Sequence, residues 1–139
     1  MKQKLATISV TTHGPGLYPF TDDARDFIRA QRFEIGLLTC FIRHTSASLV
    51  IQENADPDVL EDLEGFMRRL VSRDPGLYRH TTEGPDDMPS HIRAALTATS
   101  LSIPVQSGAL ALGVWQGLYV FEHRDRAHVR EIVMHAIGE

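Results

Sequence analysis

The stretch that decides the fold class reads Glu34-Ile35-Gly36-Leu37-Leu38-Thr39-Cys40-Phe41-Ile42-Arg43-His44-Thr45-Ser46-Ala47-Ser48-Leu49-Val50-Ile51-Gln52. Residues 34–43 and 47–52 are rich in apolar and β-branched side chains, and this composition is typical of strands. The first run has a continuous apolar middle, which indicates burial on both faces. The polar triplet between the runs predicts a turn. We therefore expect a hairpin that holds His44 and Ser46 at a strand end.

The last third of the chain repeats this β-rich character. Four further strands are predicted, at residues 101–106, 109–114, 118–123 and 128–137. The two middle ones flank Trp115-Gln116-Gly117, which predicts a second hairpin. A first strand at residues 3–12 completes the set.

Three helices are predicted between these strands. They cover residues 21–31, a segment from Asp56-Pro57 to about Leu70, and residues 90–98. Asp56-Pro57 is the clearest start signal, because a capping residue precedes a proline at the first helical position. The predicted order is βαββα, a loop, then αββββ. This order is typical of an α+β fold with mostly antiparallel pairing.

Composition limits the classes of function. The 139 residues predict a single domain over residues 1–139, and the formal net charge of -4 with scattered Lys and Arg predicts no nucleic-acid partner. No apolar stretch reaches membrane-spanning length, so we expect no membrane partner. The one cysteine, Cys40, lies in an apolar run and is predicted to be a buried, inert thiol. Without a signal-peptide pattern, a cytoplasmic location is expected.

The most informative polar segment runs from Tyr78 to Ile92. It lies at the end of a connection, residues 72–89, that is long for a compact domain, and such loops are usually functional or disordered. It combines two histidines and three carboxylates with little apolar periodicity. We interpret it as one wall of a metal-dependent site.

Four of the seven histidines adjoin other polar groups at turns, loops or strand ends: His44, His80, His91 and His123. Histidine is the commonest ligand of transition metals, and three protein ligands with an open position are the catalytic pattern. The spacing matches no short zinc motif. The alternative for any one of them is a hydrogen-bonded surface group.

The neighbouring polar residues also have two interpretations each. Asp86 and Asp87 can bind a metal or orient a histidine, but Asp87 can instead cap the following helix. Glu122 can orient a histidine, or form an ion pair with Arg124 or Arg126. Ser46 and Ser48 can donate to phosphate, although both are also ordinary hairpin residues.

These motifs together resemble those of the YjbQ-like family, over essentially the whole chain and in the same order. The resemblance rests on residues 44–49, 52–57, 80–92, 103–105, 112–119, 122–124 and 138–139. Three departures, Pro85, Ser90 and Val114, remove no proposed functional side chain.

The resemblance implies a sandwich-like α+β fold, a homotrimer, and a small-molecule phosphorylated substrate with a secondary thiamine-phosphate synthase activity. It implies a divalent metal, Zn or Mg, at His44, His80, His91 and His123; a histidine-rich site suits Zn²⁺ better than Mg²⁺. The expected catalytic residues are Asp87, Glu122 and Arg124. The expected substrate-binding residues are Ser46, Ser48, Asp86 and Gln116. A metal-dependent hydrolase and a non-catalytic trimeric module that binds a metabolite or a metal remain alternatives.

Overall fold

The computed structural model describes Met1–Glu139 and contains eight strands and three helices. In chain order the elements are β1 Lys2–Thr12, β2 Gly16–Pro19, α1 Thr21–Gln31, β3 Ile35–Ile42, β4 Ala47–Glu53, α2 Pro57–Leu70, α3 Asp87–Leu96, β5 Ser100–Gln106, β6 Ala109–Leu110, β7 Gln116–Glu122 and β8 His128–Gly138. A single 3₁₀ turn, Pro75–Leu77, interrupts the connection between α2 and α3. None of the three helices combines the length and the apolar character that a membrane-spanning helix needs.

The strands form two antiparallel sheets. The larger sheet has the order β1-β8-β3-β5-β6, and the smaller has the order β2-β7-β4. The predicted α+β fold with antiparallel, sandwich-like sheets is confirmed.

The core lies between the sheets, because strand side chains alternate between two faces. In β3, Leu38, Cys40 and Ile42 are at most 1% exposed and point inward. Leu49 of β4 and Leu118 of β7 belong to the same buried cluster from the opposite sheet. The predicted burial of Cys40 is confirmed, and this burial raises the pKa of its thiol to about 12.

The hairpin predicted for residues 34–52 is wrong. β3 pairs with β5 and β8, whereas β4 pairs with β7 in the other sheet. His44-Thr45-Ser46 therefore carries the chain from one sheet to the other. Apolar alternation shows which face of a strand is buried but not which strand lies beside it, and strands that follow each other in the chain need not pair.

The hairpin predicted around Trp115 is also wrong. β6 is only two residues long and pairs with β5, through a turn at Ser107 and Gly108 with φ of 52° and 78°. Two consecutive residues with positive φ are characteristic of the tight turns that join such strands. β7 pairs instead with β4 and with β2, a short strand that the sequence analysis did not predict.

The helices begin close to the predicted positions. Asp56 caps α2, since its Oδ1 accepts the Asp58 amide at 2.9 Å, and Pro57 occupies the first helical position. α3 begins at Asp87, three residues before the predicted start. Beyond its C-terminal end, the Leu49 amide donates to the Ala98 carbonyl at 2.7 Å. This bond holds the chain that follows α3 against β4.

Candidate metal centre

Three side chains from the Tyr78–Ile92 segment converge. The Nε2 atoms of His80 and His91 lie 2.6 Å and 3.1 Å from Oδ2 of Asp87. The potential ligand atoms of the three residues all lie within 4.8 Å of one another. Asp87 and His91 share a face of α3 because they are four residues apart, and the preceding loop brings His80 onto them. We call His80, Asp87 and His91 the triad.

A hydrogen bond fixes the orientation of the His91 ring. Its Nδ1 lies 2.9 Å from the Thr45 carbonyl oxygen, and a carbonyl can only accept, so Nδ1 carries the hydrogen. In a neutral ring Nε2 then has a lone pair, and this lone pair points at Oδ2 of Asp87. Two lone pairs at this distance repel unless a proton or a metal cation lies between them. A backbone carbonyl that orients a histidine in this way is a common feature of metal sites.

Asp87 is suited to ligation because it is anionic and buried. Its side chain is 2% exposed, and Arg124 Nη1 donates to its Oδ1 at 2.7 Å. Burial alone would raise the pKa of Asp87, but the His80 hydrogen bond and the electrostatic interactions with His91 and Arg124 hold it below its ordinary value. The helix-capping alternative for Asp87 is not observed, since no side chain caps α3.

Arg124 and Asp86 bind each other beside the triad. Arg124 Nε donates to Asp86 Oδ2 at 2.9 Å, and Nη2 donates to the Glu83 carbonyl at 3.2 Å. Burial acts to lower the pKa of Arg124, but Asp86 and Asp87 raise it overall. The charges of Arg124 and Asp86 are therefore paired with each other in this arrangement.

His44 lies outside the triad. Its Nε2 accepts the Glu131 amide at 2.8 Å, and Arg130 Nη1 lies 3.4 Å from its Nδ1. Burial and then the positive charge of Arg130 lower the pKa of His44. The His44 ring therefore anchors the crossover between the sheets. Its Nε2 lone pair accepts the Glu131 amide and is not available to a metal.

His123 is also separate from the triad. It is 1% exposed, and its Nε2 lies 3.0 Å from Oγ of Ser48, which is fully buried. Burial, followed by the charge of Arg93, lowers the pKa of His123 to about 4. The ring is neutral and shielded from solvent, so His123 and Ser48 hold the interior together.

Glu122 forms a buried ion pair, but its partner is Arg130 rather than Arg124 or Arg126. Arg130 also donates to Ser46 Oγ at 3.0 Å. Sequence analysis missed Arg130, although alternation along the last strand places it on the same face as the buried Ile132, Met134 and Ala136. An arginine at such a position is a signal for a buried carboxylate partner.

Gln116 does not approach the triad. It starts β7, whereas Glu122 ends it, and six residues of strand separate them by about 20 Å. Its Oε1 accepts the Gly113 amide at 2.8 Å. Gln116 therefore lies at the opposite end of β7 from Glu122, and its contact with a substrate stays a prediction.

The triad opens on the surface. The side chains of His80 and His91 are 43% and 31% exposed. The four main cavities measure about 580, 440, 240 and 200 Å³, and none is lined by a triad residue. A small ligand can therefore reach the triad from solvent.

An antiparallel α+β sandwich with a histidine–aspartate triad at one end of α3 defines the structural class of this protein. The chain belongs to the family described as "UPF0047 protein YjbQ-like", whose model matches residues 6–139.

Two curated relatives are similar over almost their whole length. The UPF0047 protein sll1880 of Synechocystis is 50% identical over 138 residues, which are 99% of this chain and 94% of that protein. YjbQ of Escherichia coli O157:H7 is 41% identical over 134 residues, 96% of each chain.

Solved structures agree with the fold. An uncharacterized YjbQ/UPF0047 family protein of Clostridium acetobutylicum superposes with a TM-score of 0.87 at 29% identity, over 95% of this chain and 99% of that chain. A YbjQ-like protein of unknown function from Sulfolobus solfataricus gives a TM-score of 0.85 at 19% identity, over 99% of this chain and 100% of that one.

Proposed function

We propose that this protein is an enzyme that depends on a divalent metal bound by His80, Asp87 and His91. The observation that carries the proposal is the His91 ring, whose Nδ1 bond to Thr45 directs the Nε2 lone pair at a buried carboxylate. Two imidazole nitrogens and one carboxylate oxygen suit Zn²⁺ or another transition metal better than Mg²⁺. Three protein ligands leave coordination positions for a substrate.

The substrate class we propose is a phosphorylated metabolite, with thiamine-phosphate synthase as the named activity implied by the family resemblance. A bound divalent metal supplies a Lewis acid that stabilises charge on phosphoryl oxygens. Ser46, Ser48 and Arg124 have protein partners, so we assign substrate phosphate to the open side of the triad instead. Asp87 and His91 would hold the site in position while the more exposed His80 borders the substrate.

A metal-dependent hydrolase is the second candidate. The position of the triad on the surface, outside the main cavities, favours it, because attack by water needs a pocket for one substrate rather than two. A module that binds a metal or metabolite without turnover is the non-enzymatic alternative.

We also propose that the protein assembles as a homotrimer through the outer face of the larger sheet. This face carries exposed apolar side chains, including Leu5 at 63%, Ile35 at 68%, Phe41 at 48% and Val129 at 59%. Large apolar side chains exposed on one face of a sheet mark a candidate interface. A second copy is the occupant that the family resemblance implies.

Metal content tests the centre directly. Protein purified without added metal is analysed by element, beside His80→Ala, Asp87→Asn and His91→Ala variants. His13→Ala is the matched control, since His13 is exposed and outside the triad. We expect stoichiometric metal in the wild type and the control, and loss of metal in all three triad variants. Equal metal in all five proteins, or no binding by the wild type, would overturn the proposal.

Product analysis then separates the candidate functions. The substrates are a pyrimidinylmethyl diphosphate and a thiazole phosphate, with release of pyrophosphate and of phosphate as the two readouts. A synthase requires the thiazole acceptor, whereas a hydrolase releases phosphate from the diphosphate without it. Metal binding with no turnover on either assay would support a binding module.

A further inference from the structure

The two oxygens of Asp87 have different partners. Oδ2 faces both imidazoles, whereas Oδ1 accepts Arg124 Nη1 at 2.7 Å. We infer that Arg124, held in place by Asp86, restricts Asp87 to binding metal through one oxygen and thereby selects a transition metal of low coordination number. This inference rests on the proposed metal centre.

The bond from Arg124 to Asp87 is shielded from solvent. The side chains are 13% and 2% exposed, and both groups are charged. Exposed ion pairs exchange readily with water, but a charge-assisted bond in a shielded position is short and persistent. Oδ1 is therefore not free to swing onto a metal at Oδ2.

Arg124 is itself held at several points. Its Nε donates to Asp86 Oδ2, Nη2 donates to the Glu83 carbonyl, and its backbone amide donates to Glu122 Oε2 at 3.1 Å. Asp86 Oδ2 also accepts the Asp125 amide at 3.0 Å. Asp86 and Arg124 are thus positioning residues for the ligand Asp87.

One available carboxylate oxygen has a chemical consequence. Ca²⁺ takes about six to eight oxygens and often binds a carboxylate through both of them, so losing Oδ1 disfavours it. One oxygen and two imidazole nitrogens match the three-ligand, open-position sites of Zn²⁺. The guanidinium also offsets part of the charge on Asp87, which weakens attraction for cations that prefer oxygen ligands alone.

Cobalt(II) spectroscopy tests this inference without any activity assay. The visible absorption of bound Co²⁺ weakens as its coordination number rises from four to six. The variants are Arg124→Gln, which frees Oδ1, and Asp86→Asn, which loosens Arg124. Arg126→Gln is the matched control, because Arg126 is an exposed arginine two residues away with no ion pair.

We expect Arg124→Gln to weaken the Co²⁺ absorption and to shift the ratio of Mn²⁺ to Zn²⁺ affinity toward Mn²⁺ by about tenfold, the lower end of effects seen for groups that support metal ligands. Asp86→Asn should change the Co²⁺ absorption and the affinity ratio in the same direction but by less. If Arg124→Gln does not fold, the Asp86→Asn variant provides the test. Arg126→Gln should match the wild type.

The two proposals fail in different ways. If the wild type binds Co²⁺ but the folded Arg124 and Asp86 variants keep its spectrum and its metal preference, the inference is wrong and the metal centre stands. If the wild type binds neither Co²⁺ nor Zn²⁺, the centre itself is absent.

Discussion

The carboxylate of Glu122 and the guanidinium of Arg130 form a two-point ion pair that joins the two sheets. The side chains are 0% and 4% exposed, and Arg130 Nε donates to Glu122 Oε1 at 2.7 Å. Glu122 ends β7 in the smaller sheet, and Arg130 lies in β8 of the larger one. Glu122 Oε2 also accepts the amides of His123 and Arg124, so this pair supports the segment that reaches the triad.

Glu122→Gln should lower the free energy of unfolding by about 3–5 kcal/mol, because it leaves the Arg130 charge buried and uncompensated. Urea titration measures the change. Glu131→Gln is the control, since Glu131 pairs with Arg43 in an exposed position, and it should cost less than about 1 kcal/mol. Similar decreases in the free energy of unfolding for the two variants would show that the buried Glu122–Arg130 pair stabilises the fold no more than an exposed ion pair does.

The stability contributed by His123 should fall with acid. Its folded pKa of about 4 lies below the ordinary value of 6.5, so between these values the unfolded chain binds a proton that the folded chain does not. The contribution is therefore complete above pH 6.5 and is lost as the pH falls toward 4.

Between pH 7 and pH 5 this linkage should cost about 2 kcal/mol. His123→Gln should flatten the decline by that amount, as measured by urea titration at each pH. The comparison stays above pH 5 because the carboxylates with lowered pKa values, including Asp87 and Glu122, lose their contributions at lower pH. Parallel pH profiles for the wild type and the variant would contradict the assignment.

Arg93→Met should leave the free energy of unfolding unchanged or raise it by about 1 kcal/mol. Arg93 is 4% exposed, and its buried Nε and Nη2 have no hydrogen-bond partner. A buried donor without a partner costs about 1–3 kcal/mol, which methionine removes at similar length.

The same change should raise the pKa of His123, because the charge of Arg93 helps to lower it. Chemical denaturation and histidine NMR titration measure the two effects. A marked loss of stability together with an unchanged His123 titration would show that Arg93 has a partner in solution and lies too far away to act on His123.

Phe41→Glu should disrupt the proposed trimer, because it places a charge within the apolar outer face of the larger sheet. Light scattering with size-exclusion chromatography measures the assembly. Trp115→Glu is the control: Trp115 is 61% exposed and immediately precedes β7 of the other sheet. We expect the Phe41 variant to dissociate and the Trp115 variant to remain a trimer. If both variants remain trimers, or if the wild type is a monomer, this interface is excluded.

Local features of the chain are readable from its sequence because they depend on neighbours a few residues away. Asp56-Pro57 predicted the start of α2, since a cap and a fixed φ act within one turn. Apolar runs predicted most of the strands and the burial of Cys40. The unusual polarity of the Tyr78–Ile92 segment predicted a functional role for it, and all three residues of the proposed metal centre lie within it.

Only the tertiary structure determined which strands pair and which histidines come into contact. Any antiparallel partner can satisfy the same apolar alternation, so the pairing of β3 with β8 and of β4 with β7 depended on the whole core. The same holds for the histidines, since local sequence treats four of them alike. In the folded chain the Glu131 amide and Arg130 engage His44, and His123 is buried against Ser48. Only His80 and His91 are left to meet Asp87, because convergence in space depends on contacts between residues far apart in the chain.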